Sequence, residues 1–464
     1  MEESGLPSST LHRTLSPFEV MLLTFSALSP AMSVYIAGAG VLHIAGTGAA
    51  LAFIIGGFVP ALLALLYAEL GSAFPRAGGT YPSIAAILGP TGAFPLVAIN
   101  MFIGPAVIAF SALGLADYAR VLAPGLPLLP LATGAIVLAT AIAVLRVRTG
   151  AWVTGFFLAV EVLALLLLTG VALAHPTRSL LEVFVHPMML DHSVLKPAPV
   201  VALALGLISG AWACSGASFA LYFGEEMKDA PHNMGKVVAR IGFIASLIIA
   251  APMVLLVLSI RDLPAVLAAE APIAVFLQSA GGPVVAMVVS IGVLAAIFNS
   301  LIALALSYGR FLYSTGRDGV WPRPASRLFA RLNPRTRSPI IATVLVGLAT
   351  IGAALMGERA LLVFLSGNVV GDVLIALAVL VGRHRGLTGR VFRAPLHPAV
   401  PAFGLLVAAV TMIADWQDVD AGRPSVILLT TIFFLALGYY RFHGRRRRPE
   451  WAAGVAESLE STAS

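Results

Sequence analysis

Ser29 and Pro30 interrupt an apolar run, Phe25–Tyr35 (FSALSPAMSVY), that is otherwise fit to cross a membrane. A serine caps the free N–H groups of a helix start, and proline at the first helical position loses nothing, because its N–H would be an orphan anyway. The pair predicts one half-helix ending near residues 27–29 and another starting at Pro30. The N–H groups of Ala31, Met32 and Ser33 are then left pointing into the break. Unpaired backbone in hydrocarbon is tolerated only where protein or a wet cavity surrounds it. The positive end of such a half-helix suits an anionic group such as a carboxylate. The alternative is a proline kink whose N–H groups are satisfied by Ser26 or Ser29.

A second interruption lies in Trp212–Phe219 (WACSGASF), where Ser215, Gly216 and Ser218 make a poor helix centre. If the chain unwinds there at Cys214, the carbonyls of residues 213–215 suit an ammonium group, and Trp212 and Phe219 would cover the bound molecule. Trp212 could add a cation–π contact. Close helix packing is the competing explanation for the small residues. Glu161 stands in the middle of FFLAVEVLALLLL with no basic residue near it in sequence. A mid-span carboxyl costs roughly 2.5–3.5 kcal/mol and is a functional candidate for carrying a proton. Asp372 is a second mid-span acid, and Asn299 with Ser300 forms a polar pair near the centre of another apolar run. Structural hydrogen bonding is the alternative for each of these four. His43 reads as structural, and Glu69 and Glu225, beside Arg and Lys at helix ends, as partners in ion pairs. No catalytic set such as HExxH or GxSxG stands within a span, and the lone Cys214 excludes internal disulfides and a cysteine metal site. No enzyme activity, cofactor or metal is expected.

The elements that must position these residues are membrane helices. Of 464 residues 59% are hydrophobic and 11% charged, with mean hydropathy +0.95; a soluble domain has about 25% charged residues. Runs of about 20 apolar residues predict twelve spans: 17–41 (broken), 47–71, 94–119, 127–146, 151–174, 199–223, 237–260, 283–312, 340–357, 359–382, 399–415 and 425–442. Segment 1–16 lacks the features of a secretory signal, so the first span is the expected insertion signal. With both termini inside, 23 Lys and Arg lie on the inner side and 6 on the outer, together the 29 of the chain. That asymmetry predicts the orientation. It also explains the net charge of +7 without nucleic acid, and Arg445–Arg448 reads as an anchor to anionic lipid. Loops 175–198 and 261–282 are long for turns, and Leu263–Gln278 is expected to form a short helix over the outer face. Segment 443–464 reads as a basic and then disordered cytoplasmic tail.

Interrupted helices open spans one and six. Five spans followed by five more, 17–174 and 199–382, with an odd number per set, is an inverted-repeat plan whose paired breaks point to a binding site. Spans eleven and twelve, 399–442, lie outside the repeat. The fold class expected is all-α: a polytopic membrane protein of 12 transmembrane helices with a 5+5 inverted repeat and two C-terminal helices.

Four runs carry a likeness. Tyr67–Tyr81 (YAELGSAFPRAGGTY), Gly224–Ala230 (GEEMKDA), Gly309–Pro322 (GRFLYSTGRDGVWP) and Arg390–Pro398 (RVFRAPLHP) resemble, in order, motifs of the amino acid–polyamine–organocation (APC) permeases. The resemblance covers most of spans one to eleven. It implies the fold of the bacterial leucine transporter and an amino acid or related amine as substrate. It puts the substrate on Ser29–Ser33 and Cys214–Phe219. The family's glycine-rich G-x-G is replaced here by Pro30-Ala31-Met32, which leaves fewer N–H groups and a narrower pocket. Glu161 falls within about a residue of the lysine of proton-coupled members, and Asn299 and Ser300 where sodium-coupled relatives hold an ion. The expectation is a secondary permease of the cytoplasmic membrane, proton-coupled; an exchanger or sodium symporter is the alternative, and a sensing receptor or a channel the alternative from another class.

Overall fold

The computed structural model describes residues 11–442 except 124 and 366–368, so the expected disordered tail lies outside the described residues. Helix α1 (Pro17–Leu28) starts on a capping box. The Ser16 hydroxyl accepts the Glu19 N–H at 3.2 Å, and the Glu19 carboxyl accepts the Ser16 N–H at 2.7 Å. It ends at Ser29, which sits at φ +50°. That left-handed turn is uncommon for a residue with a side chain. Ser29 then caps α2 (Pro30–Met32), which runs through a π-helical stretch, Ser33–Ala37, into α3 (Gly38–Ala45). Span one is thus two half-helices joined at Ser29, as the Ser–Pro pair predicts, and it ends four residues later than expected.

After it come α4 (Ala49–Ala73), α5 (Tyr81–Leu88), α6 (Pro90–Leu122), α7 (Leu128–Ala143) and α8 (Val147–Ala174). The outer loop 175–198 carries a short helix, α9 (Leu180–Val185), and a hairpin of β1 (Met188–Asp191) with β2 (Val194–Pro197). The sequence pattern of alternating membrane runs did not anticipate those strands. Span six is α10 (Val200–Ala213) followed by a 3₁₀ stretch, Ala217–Phe223. Then follow α11 (Ala230–Ser259), α12 (Leu263–Ala268), α13 (Pro272–Gly281), α14 (Pro283–Arg317), α15 (Arg323–Phe329) and α16 (Ile340–Ala354). The outer segment expected as one short helix is therefore two, α12 and α13. The chain closes with α17 (Glu358–Leu365), α18 (Val369–His384), α19 (Ala399–Gln417) and α20 (Gly422–Phe442).

Among the described residues nine helical stretches are long and apolar enough to cross a membrane, the first of them, Pro17–Ala73, holding spans one and two together. Runs four and nine form shorter apolar helices, Leu128–Ala143 and Ile340–Ala354. The fold is all-α and polytopic apart from the one hairpin. α14 is the central post, packed against α1, α6, α7, α8 and α16. α4 packs along α10 and α11, while α20 lies on α6 and α19 on α18 and α4. Many large apolar side chains are exposed, among them Phe156, Leu166 and Phe434, the surface expected of helices in lipid.

Candidate functional site

Besides the Arg148–Glu19 pair at 3.1 Å, four polar contacts join span one to α8. The Ser26 hydroxyl donates to the Thr154 carbonyl at 3.3 Å, and the Tyr35 hydroxyl donates to the Ala164 carbonyl at 3.3 Å. Between them, the Ser29 hydroxyl donates to Glu161 Oε1 at 2.9 Å, and the Ala31 N–H donates to the same oxygen at 2.8 Å. The Glu161 side chain is wholly buried. The mid-span acid and the break, chosen separately from the sequence, lie in direct contact.

This corrects the expectation of unpaired donors. The Ala31 N–H is taken by Glu161; the Met32 N–H donates to the Ser29 hydroxyl at 3.4 Å, and the Ser33 N–H to the Ser29 carbonyl at 3.0 Å. The physical reason is proximity: a carboxylate on the adjacent helix meets the positive end of the half-helix, and the αL turn lets Ser29 cap the new start. Glu161 Oε2 and both amide atoms of Asn299 are buried without a hydrogen-bond partner. The Asn299 amide lies beside the Glu161 carboxyl without bonding to it. Ser300, next on α14, donates to the Ala27 carbonyl at 3.3 Å, at the end of α1. Glu161, Asn299 and Ser300 therefore gather at the break. Asp372 does not: it accepts the Tyr67 hydroxyl at 2.8 Å, between α18 and α4.

The second break meets the first. Gly216 sits at φ +134°, a conformation that side chains resist, and a Cβ there would lie 3.1 Å from the Leu28 side chain at the end of α1. The Ser215 N–H and hydroxyl both bond the Trp212 carbonyl, at 3.0 and 2.7 Å. Cys214 is buried, with its Sγ 3.4 Å from the Cβ position of Gly57 on α4, so it faces span two. Trp212 is 54% exposed and covers nothing at the break, a correction to its expected role; it lies on the outer face of the last turn of α10. Phe219, by contrast, stacks on Tyr222 and meets Tyr308 edge-on, with centroids 5.9 and 6.5 Å apart. Met32 is partly buried against the core. Ser218 is half-buried, and no hydrogen bond places it in the site. The cluster of Tyr222 and Tyr308 escaped the sequence reading, because helix-borne aromatics carry no local signal of their spatial grouping. His43 is 2.9 Å from the Ala269 carbonyl, a structural tie to the outer loop.

A second polar assembly lies at the end of the bundle where α1 begins, the inner end by the charge count. Glu225 pairs with Arg317, accepts the Ala77 N–H at 3.1 Å and lies 3.9 Å from Arg76. Asp318 accepts Arg317 Nε and the Tyr81 hydroxyl, both at 2.8 Å, and lies 3.6 Å from Arg76. Burial alone would raise the Asp318 pKa, but the guanidinium groups of Arg317 and Arg76 and the bonds from Arg317 and Tyr81 hold it below the usual carboxylate range. Glu226 pairs with the fully buried Arg310, whose guanidinium lies 5.0 Å over Phe223. Glu69 is wholly buried among four donor contacts: two from Arg383, one from Thr388 at 2.9 Å and one from the Ala394 N–H at 2.9 Å. The four motif runs converge on this end, and Glu69 and Glu225 form the ion pairs expected of them.

The amino acid permease family profile matches residues 15–439. The branched-chain amino acid permease BcaP of Lactococcus lactis is 25% identical, over 87% of this chain and 88% of its own length. The methylthioribose transporter of Bacillus subtilis is 28% identical over 93% of each chain. The human Asc-type amino acid transporter 1 is 26% identical over 92% of this chain and 82% of its own.

Proposed function

From the premise that the chain belongs to the amino acid permease family, we propose that it carries an amino acid or related amine across the cytoplasmic membrane by alternating access, with Glu161 as its proton-coupling group. It is a transporter, not an enzyme. The observation that carries the coupling is the asymmetry of Glu161: one oxygen holds the break through Ser29 and Ala31, and the other is buried without a partner. A proton on Oε2 removes the charge without disturbing the two bonds on Oε1. Loss of that proton leaves an ion whose burial is costly unless water reaches it. Protonation state and access to the break are thereby linked, and by reciprocity substrate affinity depends on pH.

The ion pairs at the inner end support a closed inner side. Opening inward separates Arg317 from Glu225 and frees the halves 17–174 and 199–382 to rock about the paired breaks. The relatives named for branched-chain amino acids and methylthioribose support a small solute as the substrate. The charge asymmetry supports both termini being cytoplasmic in the plasma membrane. The test is uptake into proteoliposomes with and without an inward proton gradient. Saturable uptake, counterflow and stimulation by the gradient are expected. Uptake indifferent to protons but dependent on sodium moves coupling to Asn299 and Ser300; uptake driven only by internal substrate makes the protein an exchanger; absence of counterflow overturns the transporter mechanism.

A further inference from the structure

We propose that the protein binds one anionic phospholipid at a built site, with an acyl chain in a cavity between α6, α14 and α16 and the phosphate on the arginines of α15 and the loop after it. The cavity has a volume of about 180 Å³. Met101 and Pro105 of α6, Tyr308 of α14, Leu345 of α16 and Phe329 of α15 wall it. The Asn100 amide, also on its wall, already donates to the Leu96 carbonyl at 2.9 Å. An apolar cavity on the scale of about 150 Å³ stays dry and takes up hydrocarbon. Ala349, on the α16 side, is exposed, and Met101, Pro105 and Leu345 are half-buried, so the cavity is open at the surface of the bundle. Tyr308 stands nine residues before Arg317, the last residue of α14, which is about 14 Å along a helix axis. Half the hydrocarbon core of a bilayer is about 15 Å. The cavity therefore lies at the depth of the acyl chains of one leaflet, the inner one by the charge count.

Charge identifies the occupant. Phe329 stands between Arg327 and Arg331 in the chain, and Arg335 and Arg337 follow; all four arginines are exposed. None of them pairs with a carboxylate among the described residues. From Gly319 to Gly357 the chain holds no Asp or Glu that could neutralise them. The element that carries them is fixed in place. A Cβ on Gly316 would lie 2.6 Å from the Phe329 Cβ and 2.8 Å from the Ala330 nitrogen, so glycine there lets α15 press directly on α14. Trp321 meets Phe329 edge-on, with centroids 6.4 Å apart, and its indole N–H donates to the Thr315 hydroxyl at 2.9 Å. Tryptophan is the aromatic that settles at headgroup level. Guanidinium groups bind phosphate oxygens through parallel N–H donors, and cations at the membrane surface attract anionic lipid. A hydrocarbon cavity walled by the same short helix that presents unpaired arginines fits a molecule with both an acyl chain and a phosphate.

The test uses the full chain in detergent with equal amounts of phosphatidylglycerol and phosphatidylcholine of the same acyl chains, and native mass spectrometry reads the lipid retained. It does not depend on which solute the protein carries. Phosphatidylglycerol is expected to stay bound with at least tenfold preference over phosphatidylcholine. Changing Arg327→Gln and Arg331→Gln together, both on the surface, is expected to cut that preference at least tenfold, since each arginine near an anionic lipid surface contributes about fivefold. Leu345→Trp, which fills the cavity from α16, is expected to lower retention of phosphatidylglycerol at least fivefold. Replacing Arg445–Arg448 by glutamine is expected to change neither. Equal retention of the two lipids overturns the proposal. So does a preference that survives the arginine pair, or one lost with the tail arginines alone, which would make the tail the lipid's partner. Retention unchanged in folded Leu345→Trp, or displacement of the lipid by equimolar glycerophosphoglycerol, its headgroup without chains, overturns the assignment of the cavity to an acyl chain.

Discussion

Glu161 and Gly216 act through different physics, and their substitutions separate binding from coupling. Glu161→Gln keeps an oxygen for the Ser29 hydroxyl and the Ala31 N–H, so folding, binding and counterflow are expected to survive. Accumulation driven by an inward proton gradient is expected to vanish, and the pH dependence of affinity to flatten; uptake into proteoliposomes at several external pH values reads both. Gly216→Leu meets two obstacles at once: φ +134° and a Cβ 3.1 Å from Leu28. Positions of this kind cost of order 1–3 kcal/mol, which a polytopic protein tolerates while its breaks are forced apart. Inserted protein without measurable ligand binding is the expected result, and unchanged affinity would place the site elsewhere. Both residues were legible in the sequence, one as a lone mid-span acid and the other as a glycine among serines. That Glu161 fills the break itself was not legible, because its contact with Ala31 spans 130 positions and neither partner's neighbours announce it. Trp212 was misread for the same reason: its type fits a lid, and its direction depends on the rotation of α10.

At the level of the element, the half-helix entered at Pro30 is held by one residue, since Ser29 supplies its cap, the acceptor for Ser33 and a donor to Glu161. Ser33→Pro deletes the N–H bonded to the Ser29 carbonyl and crowds that carbonyl with its ring. Substrate binding is expected to weaken at least tenfold while span one still inserts, as read by calorimetry on the purified variant. The inner ion assembly is likewise a property of helix ends. Asp318 has a depressed pKa in the folded chain, so its contribution is present above the ordinary carboxylate range and is lost as pH falls through the lower, folded value. Arg317→Ala removes the nearer of the two guanidinium groups, Arg317 and Arg76, that Glu225 and Asp318 share. It is expected to favour the inward-open state, seen as faster labelling of cysteines placed along the inner half of α14; labelling at the wild-type rate would show that the assembly does not lock that end. The four motif runs pointed to these residues, and their convergence needed three dimensions.

For the whole molecule, the apolar runs carried most of the helical fold, because lipid forces every backbone group into helices, and the Lys/Arg count bears on the orientation alone. A reporter fused after Ser464 is therefore expected to be active only in the cytoplasm, and activity on the outer side would reverse the inner and outer assignments used above. The outer hairpin of β1 and β2 escaped because eight residues in a loop impose no periodicity on the sequence. Span ten shows what such a reading misses mechanically. Its first piece, α17, packs on α6 and α20, and its second, α18, on α4, α5 and α19. The buried Glu69 of α4 fastens the end of that second piece, through Arg383, Thr388 and Ala394, to the loop beyond it. Span ten is thus welded at one end and hung from different helices at the other. In any rocking of the two proposed halves, the second piece of span ten, tied through Glu69 to α4, is expected to travel with span two like the arm of a lever.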